Sequence, residues 1–524
     1  MTSAVTLATP TERPFVRILP HLRTAITLVT LALYCVACAT AAERPNILLI
    51  LADDLGYGDV GCYNSEAKAP TPNLDRLAAQ GMRFTDAHSP STVCTPTRYS
   101  LLTGRMAFRT GMRGVFDGVG GPCLIEPNRL TLGGMLQGAG YRTAMVGKWH
   151  VGLTFFDSAG NPIVRNGLEA VRRIDYRRTI PDAPIHRGFH EFFGTACCPT
   201  TDWLYAFIEG DRVPVPPTQQ LDRTPLPKHP YSHDNRPGLI APDFDLEEVD
   251  MTFLQRSVKF LEEHAKNRSE QPFFLFHSAQ AVHLPSFPSA KFRGRTQAGP
   301  HGDFIFEFDA VVGELLNTLE RLSLDRDTLV IVTSDNGPEV GSVVAMRRDH
   351  GHDGARPWRG MKRDQWEGGH RVPLLVRWPG EVSRGAQCDR TVCLTDVMAT
   401  CADLLETPLP DNAAEDSLSF LPLLRGMPER HQREYTIHQT ISLALAIRQG
   451  PWKFLDHPGS GGNNYDREPL KQYATGSPVS DQRGQLYRLD QDPGEQHNLI
   501  EEHPDIAARL KAQLDKFRTS GRSR

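Results

Sequence analysis

The chain has few cysteines, almost no net charge and no apolar run of comfortable membrane-spanning length. Ten cysteines in 524 residues are too few for a disulfide scaffold. A formal net charge of -4 gives no global attraction to nucleic acid or to an anionic membrane, so any anion binding must be local. Hydrophobic residues make up 40% and charged residues 23%, as in ordinary globular proteins long enough for one large and one smaller domain.

The N-terminus resembles an export signal. Arginines between positions 13 and 23 precede the apolar residues 25–39, and a small-residue cleavage pattern follows. We therefore predict a signal peptide over residues 1–42, no stable membrane span, and an exported protein. A retained anchor or lipidation at Cys38 is a weaker alternative, because Cys35 stands where a lipobox carries an aliphatic residue. Eight cysteines then remain, enough for one or two bridges whose pairing stays open.

Apolar runs alternate with helical patterns over most of the chain. Residues 46–52 form a continuous apolar run, typical of a strand buried on both faces of a parallel sheet. Further strands are predicted at 141–146, 273–276, 328–333 and 372–376, and helices at 72–80 and 303–322. The pattern predicts an α/β fold with a large, mostly parallel sheet flanked by helices.

The pattern changes after about residue 408. Short strands are predicted at 434–438, 443–449, 452–455 and 485–489, before a helix at 504–517. We expect a catalytic α/β domain over 43–408 and a smaller domain over 409–524, with an antiparallel sheet and a terminal helix. The polar segments 154–184 and 209–242 show no period, and we expect both on the surface near the rim of the site.

Oxygen-bearing side chains follow two of the predicted strands. Asp53 and Asp54 come directly after the first strand, and Asp335 and Asn336 follow residues 328–333. Ligand sites of open α/β sheets lie at the carboxyl ends of their strands. Four oxygen donors without zinc-type spacing suit a hard cation such as calcium or magnesium. Either pair alone is more often a turn or cap, but both at strand ends of one sheet favour a site.

Basic side chains follow other strand ends. Lys148 and His150 come two residues apart in GKWH, and His283 follows the strand at 273–276. Lys362 precedes the strand at 372–376, and Arg98 lies in CTPTRYSLLTGR. Each alone is more often a surface charge or a hydrogen-bonded histidine. Together they can surround a small anion beside the cation.

The stretch CTPTRYSLLTGR contains a cysteine near a helix start. Thr95 suits the N-cap, Pro96 the first helical position and Gly104 the stop, so a helix of about two turns is predicted just after Cys94. The positive end of a helix favours anions and lowers a thiol pKa. The alternative for a single cysteine is a small buried apolar side chain.

These motifs together resemble the type I sulfatases of the alkaline phosphatase superfamily. CTPTRYSLLTGR is similar to the signature CxPSRxxLLTGR, with Thr97 in place of serine. The other blocks occur in the family's order: NILLILADDLGYGD, GKWH, TSDNGPE, WEGG and QLYRLDQDPGEQHNL. The resemblance covers nearly the whole mature chain.

The resemblance implies that Cys94 is oxidised to Cα-formylglycine by a dedicated installing enzyme. The hydrated aldehyde has two hydroxyls: one attacks sulfur, and the other later loses a proton to expel sulfate and regenerate the aldehyde. It also implies one calcium ion, bound by Asp53, Asp54, Asp335, Asn336 and an oxygen of modified Cys94.

Roles for the basic residues also follow from the resemblance. Arg98 would hold the hydrated residue and its metal shell, and Lys148 and Lys362 would contact sulfate oxygens. His150 would take the proton that triggers sulfate release. His283 or Lys362 would protonate the departing alcohol oxygen.

Weaker signals surround this set. One is a basic segment that also contains acidic residues. It either recognises an acidic or hydroxyl-rich sugar or is a solvated loop. Its charged residues are Arg347, Arg348, His350, His352, Arg356, Arg359 and Arg363 with Asp349, Asp353 and Asp364. Asp202 and Trp203 either face the substrate or belong to the core.

The sequence as a whole predicts an exported, calcium-dependent sulfatase that hydrolyses sulfate monoesters of a carbohydrate and of small aryl sulfates. One alternative is a phosphatase or phosphodiesterase on the same scaffold. Those enzymes generally use serine or threonine and two transition metals, and no second histidine-rich metal set is evident here. The other alternative is a binding protein for sulfated glycans that never acquires the aldehyde. The sugar, the sulfated position and the oligomeric state stay open.

Overall fold

The computed structural model describes residues 1–2, 4, 44–119, 121–267, 270–474 and 484–524. It divides into two units, Met1–Arg44 and Pro45–Arg524, and the fold given below is that of the second. The apolar stretch and the cleavage site of the predicted signal peptide lie outside the described residues. Of the helices that are described, none combines the length and the apolarity needed to cross a membrane.

A large sheet forms the centre of the second unit. In the described part of the chain it has nine strands in the order β13-β2-β12-β11-β1-β10-β4-β5-β7. Their bounds are β1 Asn46–Ala52, β2 Met82–Phe84, β4 Arg142–Lys148, β5 Glu191–Thr195, β7 Ile208–Glu209, β10 Phe273–Ser278, β11 Thr328–Ser334, β12 Leu374–Arg377 and β13 Ala386–Cys388. The five strands β11, β1, β10, β4 and β5 run parallel, while β12 and β7 are antiparallel to their neighbours. The predicted fold class is confirmed.

The longer helices beside this sheet bury an apolar stripe. The described helices are α1 Pro72–Gln80, α2 Cys94–Thr103, α3 Leu132–Gly138, α4 Leu168–Arg172, α5 Val249–Asn267, α6 Gly299–Arg321, α7 Val340–His350, α8 Glu367–His370, α9 Asp396–Leu404, α10 Leu421–Leu424 and α11 Pro504–Thr519. On α6, the side chains of Phe304, Phe308, Val311 and Leu315 are at most 2% exposed, as the helical spacing predicted. This helix begins four residues earlier than predicted and ends at Arg321.

The C-terminal strands form a separate antiparallel sheet. Its strands are β15 Tyr435–Gln439, β16 Leu445–Gln449, β17 Trp452–Leu455 and β18 Gln485–Arg488, in that order. Ile447, Phe454 and Leu486 pack against Leu510 and Leu514 of α11 in one apolar cluster. The remaining short strands are β3 Ala87–His88 with β14 Val392–Cys393, and β6 Leu204–Tyr205, β9 Leu239–Ile240 and β8 Gln219–Gln220. The domain limits at residues 42 and 408 stay predictions.

Three expectations need correction. The segments 154–184 and 209–242 are not wholly irregular surface, since they contain α4 and strands β8 and β9. Val171 and Ala183 in the first segment are fully buried, and Tyr231 in the second is 1% exposed, because both segments pack on the main core. All eight described cysteines have free thiols, so the one or two bridges that their number allowed are not present in the described chain.

Candidate active site

The strand register gathers the predicted site residues at one edge of the large sheet. Ala52 of β1 pairs with Ser334 of β11, and Leu51 pairs with Ser278 of β10. Ser278 in turn pairs with Gly147 of β4. These parallel strands therefore end at the same level, which brings together residues at or after their ends: Asp53, Asp54, Lys148, His150, His283, Asp335 and Asn336.

The four oxygen-bearing side chains are completely buried and mutually linked. The backbone N–H of Asp54 donates to Asp335 Oδ1 at 3.2 Å, and Asn336 Nδ2 donates to Asp54 Oδ1 at 2.7 Å. Asp53 Oδ1 and Asn336 Oδ1, in contrast, have no hydrogen-bond partner. Buried polar oxygens without partners are costly unless something binds them. The donor set and these two free oxygens therefore fit a hard cation such as calcium.

Arg98 braces these carboxylates from α2. Its Nε is 3.0 Å and its Nη2 is 2.8 Å from Asp335 Oδ2, and Nη2 is 3.5 Å from Asp53 Oδ2. Its Nη1 donates to the backbone carbonyl of Lys148 at 3.0 Å and to Ser278 Oγ at 2.6 Å. The guanidinium thus connects the ends of four strands. A fork of N–H donors suits this task better than a lysine ammonium.

Lys148, Lys362 and His283 supply further positive charge. Lys148 forms a buried ion pair with Asp53, and Lys362 Nζ is 2.6 Å from Asp54 Oδ2. His283 Nε2 is 3.8 Å from Asp54 Oδ2, and its side chain is 14% exposed, so it lies closest to solvent in this group. Burial acts to lower the pKa of His283, but the charges of Cys198 and Asp54 raise that pKa to about 9.

Cys94 is the first residue of α2 and is 2% exposed. The expected cap was wrong: Val93 is the N-cap residue, and the hydroxyl oxygen of Thr95 instead accepts a hydrogen bond from the backbone N–H of Phe116 at 3.1 Å. Gly104 ends the helix in the left-handed conformation, as predicted. Burial acts to raise the pKa of the Cys94 thiol, but His150 and Lys148 hold that pKa below its usual value.

His150 lies against Cys94, although not for the reason inferred from the sequence. The extended strand ends at Lys148, and His150 itself has a left-handed backbone with φ 59°. Its Nε2 is 2.7 Å from the backbone carbonyl oxygen of Phe116, and its charge helps to lower the pKa of the Cys94 thiol. Asp54 is also left-handed, with φ 64°. Such strained residues concentrate at functional sites, where the surrounding structure fixes them.

The comparison with known families agrees with this geometry. A family model described as Sulfatase matches residues 45–407. The chain belongs to the sulfatase family. It is accordingly a sulfuric ester hydrolase.

Similar proteins match this sulfatase over nearly their whole lengths. The N-acetylgalactosamine-6-O-sulfatase of Bacteroides thetaiotaomicron is 32% identical over 511 residues, covering 91% of this chain and 94% of that protein. Arylsulfatase A of Homo sapiens is 33% identical over 529 residues, covering 94% and 93%. A solved Bacteroides thetaiotaomicron structure, described with the metabolism of multiple glycosaminoglycans, has a TM-score of 0.76 at 30% identity and covers 91% of this chain and 100% of that one.

Two residues at the site of the sulfatase were missed in the sequence. Glu339, within TSDNGPE, is 3.4 Å from Lys362 Nζ and 2.6 Å from Arg363 Nη1. Cys198 Sγ lies 3.9 Å from His150 Nδ1 and from His283 Nε2. Glu339 could have been found from its place in a family block. For Cys198, the only signal in the sequence was its position next to Cys197.

The expected basic loop is not one surface. Arg347, Arg348, Asp349 and His350 belong to α7. His352 is buried with its Nε2 2.7 Å from Asp59 Oδ1.

The later charges of this stretch are also paired. Asp364 is buried and accepts from the Tyr465 hydroxyl at 2.5 Å, and the Arg359 guanidinium lies 3.4 Å from the centre of the Trp366 ring. The stretch therefore does not form one continuous solvated loop, and a role for its exposed arginines in sugar binding stays a prediction.

Asp202 and Trp203 lie in different environments. Asp202 is 2% exposed, its Oδ1 accepts from the backbone N–H of Trp203 at 2.6 Å, and burial raises its pKa to about 7. Trp203 is partly buried, with the Arg236 guanidinium 5.8 Å from its ring centre. Asp202 therefore belongs to the core, while Trp203 reaches the surface.

Proposed function

We propose that this sulfatase is an exported enzyme that hydrolyses sulfate monoesters of a sulfated carbohydrate, using Cys94 in its formylglycine form and one calcium ion. The observation that carries the proposal is the convergence of Cys94, four buried oxygen donors and four positive side chains at one edge of the sheet. A nucleophile beside concentrated positive charge is what an anionic, unreactive ester requires.

Calcium would be held by Asp53, Asp54, Asp335 and Asn336, together with the modified side chain of residue 94. The two partnerless oxygens, Asp53 Oδ1 and Asn336 Oδ1, support this assignment. The bound ion supplies Lewis-acid polarisation of sulfate and of the nucleophilic oxygen.

Residue 94 is suited to carry the nucleophile. The formylglycine form, made by an installing enzyme during maturation, supplies two geminal hydroxyls, one to attack sulfur and one to lose a proton. The position at the start of α2 favours negative charge on these oxygens, and Arg98 one turn later anchors the helix to the carboxylates.

The basic residues divide the remaining tasks. His150 contacts residue 94 and accepts the proton that accompanies sulfate release. Lys148 and Lys362 place ammonium groups beside both Cys94 and the carboxylates, where they can contact sulfate oxygens. His283 is the most exposed of the site histidines, and we assign it, or Lys362, to protonation of the departing alcohol oxygen.

A carbohydrate substrate is supported by the relative named N-acetylgalactosamine-6-O-sulfatase, which aligns over 94% of its length. The relative named arylsulfatase A supports activity on small aryl sulfates as well. Export is proposed from the N-terminal pattern of arginines, apolar residues and small residues.

A side-by-side assay with an aryl sulfate and the matching aryl phosphate tests the reaction. We expect sulfate hydrolysis that Cys94→Ala abolishes and that Cys401→Ala retains. Cys401 is a matched control because it is also a buried thiol, on α9, whose pKa is raised to about 12 by burial alone. Dominant phosphatase activity, or sulfated-glycan binding without turnover, would contradict the proposal.

A panel of defined sulfated saccharides tests the substrate class. We expect hydrolysis of one sulfate position, with the 6-O-sulfate of N-acetylgalactosamine as the first compound to try. Activity confined to nitrophenyl-type sulfates would refute the carbohydrate assignment while leaving the sulfatase reaction intact.

A further inference from the structure

Two adjacent cysteines, Cys197 and Cys198, follow β5 and lie beside His150. The ligand atoms of these three residues are all within 4.8 Å of one another. Cys197 is 4% and Cys198 is 5% exposed, and neither has a role in the proposed reaction. The cluster is distinct from the oxygen donors of the calcium site, although His150 borders both.

His150 is oriented as a metal-binding histidine would be. Its Nε2 lies 2.7 Å from the carbonyl oxygen of Phe116, which can only accept, so Nε2 carries the hydrogen. In the neutral ring Nδ1 then carries the lone pair, 3.9 Å from Cys198 Sγ. Metal-bound histidines characteristically donate their second ring N–H to a backbone carbonyl in this way.

The donor types define the class of ion. Two thiols and an imidazole suit zinc and cadmium, whereas calcium takes oxygen ligands. Zinc binds cysteine sulfur at about 2.3 Å and histidine nitrogen at about 2.0 Å. In a tetrahedral site the sulfur and nitrogen atoms are then about 3.5 Å apart. The observed 3.9 Å between Cys198 Sγ and His150 Nδ1 needs only a small contraction to reach that spacing.

We propose that Cys197, Cys198 and His150 form a thiophilic metal site that takes zinc or cadmium and blocks the enzyme. Binding would release the thiol protons, including the one that Cys197 donates to Phe116 O at 3.2 Å. The fourth position is left to water. Inhibition rests on the proposed function, because it follows from withdrawing His150 Nδ1 from proton transfer at residue 94.

Cadmium titration of the calcium-loaded protein tests the site without relying on turnover. We expect one equivalent to produce thiolate-to-cadmium charge-transfer absorption. Cys197→Ser and Cys198→Ser should each weaken binding by more than about tenfold, as loss of a metal ligand requires. Cys401→Ser, a buried thiol on another element, should bind as the wild type does. Repeating the titration in Cys94→Ala excludes the unconverted thiol as the ligand.

Zinc inhibition of each variant, normalised to its own activity without zinc, provides the functional readout. We expect the two serine variants to resist zinc and a chelator to restore the wild type. X-ray absorption of zinc-bound wild type should show sulfur and nitrogen neighbours, which keeps the test valid if a variant folds poorly.

Oxygen-only coordination, or unchanged cadmium affinity in Cys198→Ser, would overturn the site. If the protein shows the cadmium absorption band but hydrolyses no sulfate ester, the metal site is supported and the proposed function is refuted. If the enzyme is active but shows no cadmium absorption band, only the metal site is refuted.

Discussion

Replacing Lys453 with methionine tests how the C-terminal sheet supports the active site. Lys453 lies on β17 with 0% exposure. Its Nζ is 2.9 Å from Glu367 Oε1, 2.9 Å from Glu495 Oε1 and 3.1 Å from His370 Nε2. Glu367 begins α8, five residues after Lys362, so this ammonium group ties the small sheet to the segment that carries a proposed sulfate ligand.

The cost of the change follows from burial. Glu367 and Glu495 are both 0% exposed, and Lys453→Met leaves two carboxylates without their shared cation. Removing one partner of a buried ion pair costs about 3–5 kcal/mol, and we expect the lower end because Glu367 keeps Arg371 Nη1 at 2.9 Å. Lys511→Met is the matched control. Lys511 is 60% exposed and pairs with Asp515 on one helix, a contact worth about 0.3–0.5 kcal/mol.

Urea unfolding followed by circular dichroism at pH 8 measures both variants. The pKa of Glu495 is raised to about 7, chiefly by burial, so this carboxylate is largely ionised there. Sulfatase activity should fall together with stability in Lys453→Met, and adding Glu495→Gln should recover part of the lost stability. A Lys453→Met loss no larger than about 1 kcal/mol, the size of a surface pair, would refute the reasoning.

Three further predictions concern the ion, the guanidinium and pH. A chelator should lower the thermal midpoint and abolish activity, and added calcium should restore both; an unchanged midpoint would count against the ion site. Arg98→Lys keeps the charge but not the fork that binds Asp335 twice, so we expect weaker calcium binding by titration, whereas wild-type affinity would show the fork to be dispensable. Burial lowers the pKa of His277 from 6.5 to about 4. Between these two pH values the native state binds fewer protons than the unfolded state, so the free energy of unfolding falls by about 3 kcal/mol as the pH drops from 6.5 to 4. His277→Gln should flatten this part of the urea stability profile, and an unaltered profile would contradict the assignment.

The sequence predicted strands most accurately where they are buried on both faces of the sheet. The bounds of β1 were correct because six apolar residues after Asn46, ending at Asp53 and Asp54, suit a short strand buried on both faces. Asp53, Asp54 and Asp335 were placed together because parallel strands end at one edge. The family resemblance predicted Lys148 and Lys362 against sulfate oxygens, and their ion pairs with Asp53 and Asp54 were not predicted.

Errors arose where distant residues decide local structure. Thr95 is a good capping residue, but its hydroxyl binds Phe116, twenty-one positions away, and Val93 becomes the N-cap. His352 appeared to belong to a basic loop because its partner Asp59 lies 293 positions earlier. The cysteines beside His150 were not predicted for the same reason, since only the fold brings β4 and β5 together.

Mass spectrometry of the tryptic peptide from Phe84 to Arg98, taken from active protein made in its native host, tests the central claim most directly. We predict that residue 94 is found as Cα-formylglycine or its hydrate. An unmodified cysteine throughout a preparation that still hydrolyses sulfate esters would contradict the account.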